Sequence, residues 1–361
     1  MNTTFLPAWL YTDPAIVQRE RQRYAPRLWH PLTASTALAE GQVQAFELLG
    51  VPILLTRSQG ALRCLINRCP HRGVALQQPS QQPQTCRRLV CPYHGWTYDL
   101  AGQLLAAARE GDFVGSFERS DWPLMPLQCR ELGGLIWVAI GPDPLPLEQQ
   151  LDLVLQEAEA LFAWPRELLL RQSHVLNCNW KIAHDNTLDD YHVAIAHPTT
   201  LHREQGPVRL YRHALSDHAS LLATPYGEVG EFLTFGLAPW THLLLWPDGR
   251  LALIQFPPID PGHCYMEVCL LGDGALKPQA QVWMEEVQTF LAEDRRLVES
   301  AQLGYASGLV PGPPHRLEQR ILQQQSLYCR LMDLETFGSE PTTSVLMTAE
   351  HPGVATAPSP H

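Results

Sequence analysis

Two short stretches of the 361-residue chain carry thiols and imidazoles in mirrored pairs: Cys69-Pro70-His71 and Cys91-Pro92-Tyr93-His94. Two thiolates and two imidazoles in one small region can hold a tetrahedral zinc, or a [2Fe–2S] cluster with Cys on one iron and His on the other. The spacing favours the cluster, because each tight loop can offer one sulfur and one nitrogen to two different irons. A second set lies downstream, where Asp185, Asn186, Asp189, His192 and His197 follow closely on one another. Residues at i and i+5 sit about 140° apart on an ideal helix. His192 and His197 can therefore face one ion only if the helix ends or bulges between them. Asp189 and His192, at i and i+3, share a face. By spacing alone, a structural histidine explains either imidazole as well as a ligand does.

The flanking residues sharpen the first set. Asn67-Arg68-Cys69-Pro70-His71-Arg72-Gly73 and Cys91-Pro92-Tyr93-His94-Gly95-Trp96 closely resemble the Rieske iron–sulfur motif, down to the glycine after each loop. Nineteen residues separate His71 from Cys91, more than that family usually shows. The excess falls in Gln77 to Gln84, a polar, Pro-broken run with no apolar period, expected to be a surface loop that leaves the ligands alone. Respiratory Rieske proteins bridge their two loops by a disulfide; here Val74 and Tyr93 occupy those places, as in the oxygenase branch. With this motif upstream, Asn179-Trp180-Lys181 through Asp185-Asn186 and Asp189 to His192 and His197-Pro198 is similar to the iron-binding segment of Rieske non-haem iron oxygenases.

Such sites use two histidines and one carboxylate on one face of an Fe(II), leaving positions for O2 and substrate. The carboxylate can be sought on the long helical stretch near the C-terminus. There Val287, Phe290, Leu291, Leu297, Val298 and Ala301 form an apolar stripe with Asp294 inside it. A carboxylate on a buried face needs a partner, either a metal or a buried arginine. Glu293 is turned about 100° away, toward the polar side, so its removal is expected to be mild. The family's Glu-Asp pair ahead of a Gln, matched by Glu293-Asp294 and Gln302, also selects Asp294. His184 and His202 flank the segment without matching it.

These residues must be positioned by two folded units, and the composition allows them. Hydrophobic content of 45% and charged content of 17% describe a globular chain. The net charge of −11 disfavours nucleic acid and anionic membrane surfaces as partners. With no charged-then-apolar leader at Met1 to Asp13 and no run near eighteen apolar residues, a cytoplasmic location is expected, with the seven cysteines outside the motif reduced. Residues 1–40 read as an arm with a short helix after Asp13-Pro14. Residues 41–141 read as an all-β unit, with strands at 43–49, 51–57, 62–67, 96–100, 103–106 and 135–140. Residues 142–338 read as an α+β unit opening with a helix over 147–164. Its strands are expected at 168–176, 221–224, 242–246, 251–256 and 265–271, and its helices at 180–193, 278–302 and 315–335. Residues 339–361, rich in Pro, Thr and Ala, read as a disordered tail.

The resemblance implies an all-β Rieske domain followed by a helix-grip catalytic domain, an antiparallel sheet around a long helix. It implies a Rieske [2Fe–2S] cluster on Cys69, His71, Cys91 and His94, and a mononuclear Fe(II) on His192, His197 and Asp294. Asn186 belongs to the matching catalytic segment. Asp189 matches the carboxylate that bridges an iron ligand to a cluster histidine of the neighbouring subunit, in rings that are usually trimers. Electrons from a reductase or ferredoxin then serve hydroxylation, cis-dihydroxylation or oxidative demethylation of a small organic molecule with O2. The segment from His192 to Leu201 looks more like the compact choline- and betaine-type members than the naphthalene-type ones. A Rieske electron carrier and a zinc-stabilised binding module of the lipid-transfer type are the rival classes. Trp240, Trp246, Phe235 and Tyr226 read as aromatic core, with an aromatic box for a quaternary ammonium as the alternative.

Overall fold

The computed structural model describes residues 4–80 and 82–334, so the expected disordered tail at 339–361 lies outside the described residues. Ten strands build the first half: β1 (Trp29–Ala34), β2 (Gln42–Leu48), β3 (Val51–Ser58), β4 (Ala61–Ile66), β5 (Gln84–Thr85), β6 (Leu89–Val90), β7 (Thr97–Tyr98), β8 (Leu104–Ala106), β9 (Pro126–Leu132) and β10 (Leu135–Ala139). Seven form one sheet in the order β1-β10-β9-β4-β3-β2-β5, and β6-β7-β8 form a small second sheet. Two-residue turns at Leu49-Gly50 and Gln59-Gly60 set the β2–β3 and β3–β4 registers, pairing Leu48 with Val51 and Ser58 with Ala61. β1 falls inside the stretch read as an arm, yet it is an edge strand of this sheet. Its Pro31 breaks the strand pattern in the sequence, and the register slips beside it.

The second half opens with helices α3 (Leu147–Gln150) and α4 (Asp152–Phe162), after α1 (Trp9–Thr12) and α2 (Pro14–Arg19) of the arm. Its strands are β11 (Glu167–Leu176), β12 (Arg212–Leu215), β13 (Ala219–Tyr226), β14 (Gly230–Leu237), β15 (Thr241–Leu245), β16 (Leu251–Gln255), β17 (Pro258–Asp260) and β18 (His263–Gly272). They pair antiparallel in the order β11-β18-β16-β15-β14-β13-β12, with β17 on β18. Helices α5 (Trp180–Leu188), α6 (Val193–Ala196) and α7 (Leu201–Gln205) lie between β11 and β12, and α8 (Ala280–Ala306) and α9 (Gln319–Met332) follow the sheet.

One face of this sheet packs against Trp283, Met284, Val287, Leu291 and Val298 of α8. The other face covers α3, α4 and the Trp29 and Trp137 side of the first sheet. Every residue of β15 and β16 is buried as a result, and burial on both faces yields continuous apolar runs instead of alternation. β9, β12 and β14 were not expected from the sequence. β9 buries none of its residues and has no clean apolar period. β14 runs through Gly236, where an added Cβ would lie 2.2 Å from Leu188 Cδ2, so glycine there marks close helix-to-sheet approach and not a strand end. The expected helix over 180–193 also differs: α5 stops at Leu188, and Asp189 takes an extended conformation (φ −83°, ψ 108°).

Candidate active site

The two cysteine loops are built alike. In the first, Cys69 N–H donates to Val74 O (2.9 Å) and Gly73 N–H to Cys69 O (2.8 Å). In the second, Cys91 N–H donates to Trp96 O (2.8 Å) and Gly95 N–H to Cys91 O (3.0 Å). Both closures need a left-handed residue four positions after the cysteine, and Gly73 (φ 72°) and Gly95 (φ 69°) supply it. The Asn67 carboxamide pins the first loop by accepting from Leu76 and Gln77 N–H (3.1 Å each) and donating to Gln77 O (2.7 Å).

Cys69 and Cys91 are buried, while His71 and His94 are partly exposed. The Nδ1 atoms of both imidazoles are nevertheless buried and lack a hydrogen-bond partner. Two buried thiols and two buried, unpartnered ring nitrogens on rings 4.5 Å apart are the donor set that a cluster with sulfur on one iron and nitrogen on the other requires. Trp96 stacks on His71 (4.9 Å, 3°) and Tyr93 on His94 (3.8 Å). Desolvation, helped by His94 and Arg72, holds the His71 imidazole below its ordinary pKa, favouring the neutral ring. Tyr98 Oη lies 3.4 Å from Cys69 Sγ, within hydrogen-bond range. Val74 and Tyr93 leave the loops without a bridge, and all nine cysteines are free thiols.

The second set comes together because α5 ends. The extended Asp189 starts a turn, α6 restarts at Val193, and His197 leaves it with φ −120° and ψ 47°. His192 Nε2 and His197 Nε2 then lie 3.2 Å apart, and Asp294 Oδ1 lies 3.3 and 3.0 Å from them. Ligand atoms at right angles around an ion with bonds of roughly 2.1 Å stand about 3.0 Å apart, so the triangle has the edge lengths of one octahedral face. Asp294 Oδ1 is buried without an aligned donor, and the three atoms are close enough together to share one ion. Among the described residues this is the one group of three such side chains able to share an ion. The buried arginine that could have claimed Asp294 is Arg320, which instead pairs with Asp190 (3.0 Å). Burial works against a charged His192, but Asp189 and Asp294 outweigh it and bring its pKa up to about 10 in the protein alone.

Glu293 is not turned to solvent as the helix phase suggested. Its Oε2 accepts from His197 Nδ1 (2.6 Å) and from Thr200 Oγ1 (2.7 Å). A carboxylate accepts only, so the His197 proton sits on Nδ1 and the Nε2 lone pair faces the triad. Sequence reasoning missed both residues, because a side chain at the edge of a helical stripe can bend toward a loop that the helical wheel does not contain. Leu297, placed in the apolar stripe, is 46% exposed. At the other imidazole of the triad, Asp189 Oδ2 lies 3.3 Å from His192 Nδ1, close but not aligned as a hydrogen bond, while its Oδ1 accepts from Tyr191 N–H (2.7 Å).

A cavity of about 50 Å³ adjoins the triad, walled by Leu201, Leu222, Phe232, Leu244, Ile254 and Phe290. Asn186, Asp189 and His192 line it and also an open cavity of about 310 Å³ on the outer side. A larger groove of about 780 Å³, beside β4 and β9, contains none of these residues. His184 stays in the core against His242 (4.5 Å), away from the triad. Trp240, Phe235 and Trp246 are buried core residues and Tyr226 packs against that core, while Trp246 and Tyr226 also line a neighbouring cleft.

The comparisons place both segments in one family. The Rieske [2Fe-2S] domain family matches residues 28–117, and the ring hydroxylating alpha subunit (catalytic domain) family matches 166–221. The carnitine monooxygenase oxygenase subunit of Escherichia coli (strain K12) is 30% identical over 324 residues, covering 84% of either chain. The chain belongs to the Rieske non-haem iron oxygenases. In fold it matches the quaternary ammonium Rieske monooxygenase CntA, solved with γ-butyrobetaine (TM-score 0.79, 23% identity, 92% of this chain and 96% of that one). Naphthalene 1,2-dioxygenase from Rhodococcus sp. is similar too (TM-score 0.72, 19% identity, 91% and 94%). This Rieske oxygenase subunit therefore uses a Rieske cluster and a mononuclear iron, the groups that relay electrons and activate O2 in the family. Neither rival class fits a chain that matches both domains. No helix among the described residues is long and apolar enough to cross a membrane.

Proposed function

We propose that Cys69, His71, Cys91 and His94 hold the cluster, that His192, His197 and Asp294 hold the mononuclear iron, and that the chain monooxygenates a small aliphatic substrate. The convergence of Asp294 Oδ1 with two Nε2 atoms at 3.0 and 3.3 Å carries the iron assignment. The substrate class is supported by the likeness to carnitine monooxygenase and by the size of the inner cavity. That cavity is small, about 50 Å³, with an apolar wall opposite the triad. Quaternary ammonium compounds are the first to screen, by O2 uptake with a reductase or ferredoxin as donor. The protein's part is to bind and orient: the apolar wall presents a carbon to the triad, and Glu293 fixes the His197 ring.

Asp189 supports an electron route across subunits. It reaches His192 on one side and lines the open outer cavity on the other. Exposed Tyr191 and Leu297 near that cavity, and exposed Val90 and Tyr93 near the cluster loops, suit two faces of a head-to-tail ring, a homotrimer in this reading. The seven unbridged cysteines outside the cluster loops suit a cytoplasmic setting. The deciding experiment is Asp294→Ala beside Cys91→Ser, with iron counted and the visible spectrum recorded. Asp294→Ala should lose the mononuclear iron and turnover with its chromophore intact, and Cys91→Ser should lose the chromophore. A chromophore that survives Cys91→Ser, or mononuclear iron that survives Asp294→Ala, refutes the corresponding ligand set.

A further inference from the structure

A second cavity, about 620 Å³, opens beside the iron pocket and shares Leu201 and Phe290 with it. Its far wall holds Trp246, Trp283, Tyr226 and Arg250. The two indoles meet edge to face (5.4 Å, 87°), and the Arg250 guanidinium carbon lies 5.3 Å from each ring centroid. Of the four aromatics read as a possible box only Trp246 and Tyr226 line this cleft, and the cation against the indoles is the chain's own guanidinium. Tyr226 Oη accepts from Arg250 Nη2 (3.2 Å), and Asp248 Oδ2 accepts from Nε (2.9 Å). Nη1 has no partner among the described residues, and the side chain keeps 21% of its exposure. Burying a guanidinium stem between two indoles and leaving one edge free fixes a planar donor in place before any ligand arrives, which lowers the ordering cost of binding. The Trp283 indole N–H, in the same wall, is also buried without an acceptor.

We propose that Arg250 is the anchor for an anionic group of the substrate, a carboxylate or sulfonate, held in this outer cleft while the aliphatic end passes Leu201 and Phe290 toward the triad. The assignment rests on the oxygenase reading above and adds the charge that the substrate must carry. Charges facing the anchor are Asp248, bonded to it, and Glu286 on the cleft rim; both oppose an anion, and both are exposed enough for solvent to screen them. A guanidinium has five N–H donors, so the bond to Asp248 leaves the free edge to bind a second carboxylate.

Butyrate and its neutral isostere butyramide test this without turnover. Trp246 and Trp283 flank the anchor, so occupancy should change the indole fluorescence of the holoenzyme. Butyrate should give a saturable change and butyramide none. Arg250→Gln should weaken the butyrate response at least tenfold, and Asp248→Asn should strengthen it several-fold by removing the competing carboxylate. Equal responses to the acid and the amide, or a butyrate response unchanged in Arg250→Gln, overturn the proposal. If circular dichroism shows that Arg250→Gln is misfolded, the exposed Asp248→Asn change decides alone, and no gain in affinity overturns it. Failure of the oxygenase reading would appear separately, as absent O2 uptake with butyrate binding intact. With an active substrate in hand, Arg250→Gln should raise KM at least tenfold and leave kcat nearly unchanged, the sign of binding energy shared by ground and transition states.

Discussion

In the proposed iron site, His197 is held in place at a distance of one side chain. Glu293 Oε2 receives both His197 Nδ1–H and the Thr200 hydroxyl, so a single carboxylate sets the ring's tautomer and tethers the loop after α6 to α8. Groups that orient a metal ligand in this way typically change metal affinity or activity by about 10- to 100-fold when removed. Glu293→Ala should therefore lower iron affinity and turnover within that range, and Glu293→Gln, which keeps an acceptor, should lose less. Iron per chain at buffered free Fe(II), with cluster absorbance as the internal control, measures it. Occupancy equal to that of the unaltered protein would mean that the ring is held by packing alone.

At the scale of elements, α5 carries the site's second buried network. Its first turn is tied to the arm: Lys181 Nζ and Trp180 Nε1 donate to Glu20 (2.6 and 2.8 Å), as does Tyr328 Oη of α9 (2.7 Å). One turn on, Asp185 accepts from Gln325 (2.8 Å) and Tyr11 (3.0 Å). Burial raises the Asp185 pKa from 3.8 to about 7; those hydrogen bonds and Lys181 pull against it, and Asp189 adds to it. The native state then holds a proton that the unfolded chain has already released between pH 4 and 7. Stability should fall as pH rises through that window and level off above it, by on the order of 4 kcal/mol at 1.36 kcal/mol per unit. Asp185→Asn, neutral at every pH, should abolish that slope. Thermal unfolding midpoints at pH 5 and 7.5 will show it: a slope unchanged in the variant would place the titration elsewhere.

At the scale of the whole molecule, the cluster loops follow β4 and β6 of the first half, the iron triad is carried by the turns around α6 and by α8 of the second, and Asp189 lines the open cavity beside the triad. In a head-to-tail ring, each cluster meets the Asp189 side of the next subunit. His94→Ala chains and Asp294→Ala chains should each be inactive alone. Mixed rings should recover part of the activity, since an intact cluster then neighbours an intact iron site. Adding Asp189→Ala to the chain with the intact iron site should remove the rescue. Verified mixed oligomers without recovery, or full activity in a strict monomer, would exclude this route.

Much of the site was legible because its chemistry is local. Cys69-Pro70-His71 with Gly73, and Cys91 to His94 with Gly95, are loops whose donors, turn and closing glycine lie within a few residues, so type and spacing suffice. The paired family motifs singled out His192 and His197, and helix phase together with the family's Glu-Asp pair singled out Asp294, three side chains that the fold brings together, although the same phase misplaced Glu293 and Leu297. Only the folded chain decided what depends on contacts between distant segments. The helix break at Asp189, which swings His192 and His197 onto one point, and the bond from Glu293 to His197 across 96 positions leave no periodic trace. β1 and β14 were hidden by a proline at a register slip and a glycine at a close approach. The same reason explains Arg250. Its aromatic neighbours were visible as Trp246 and Tyr226, but the cation between them is set by a strand register and a helix face that meet only in three dimensions.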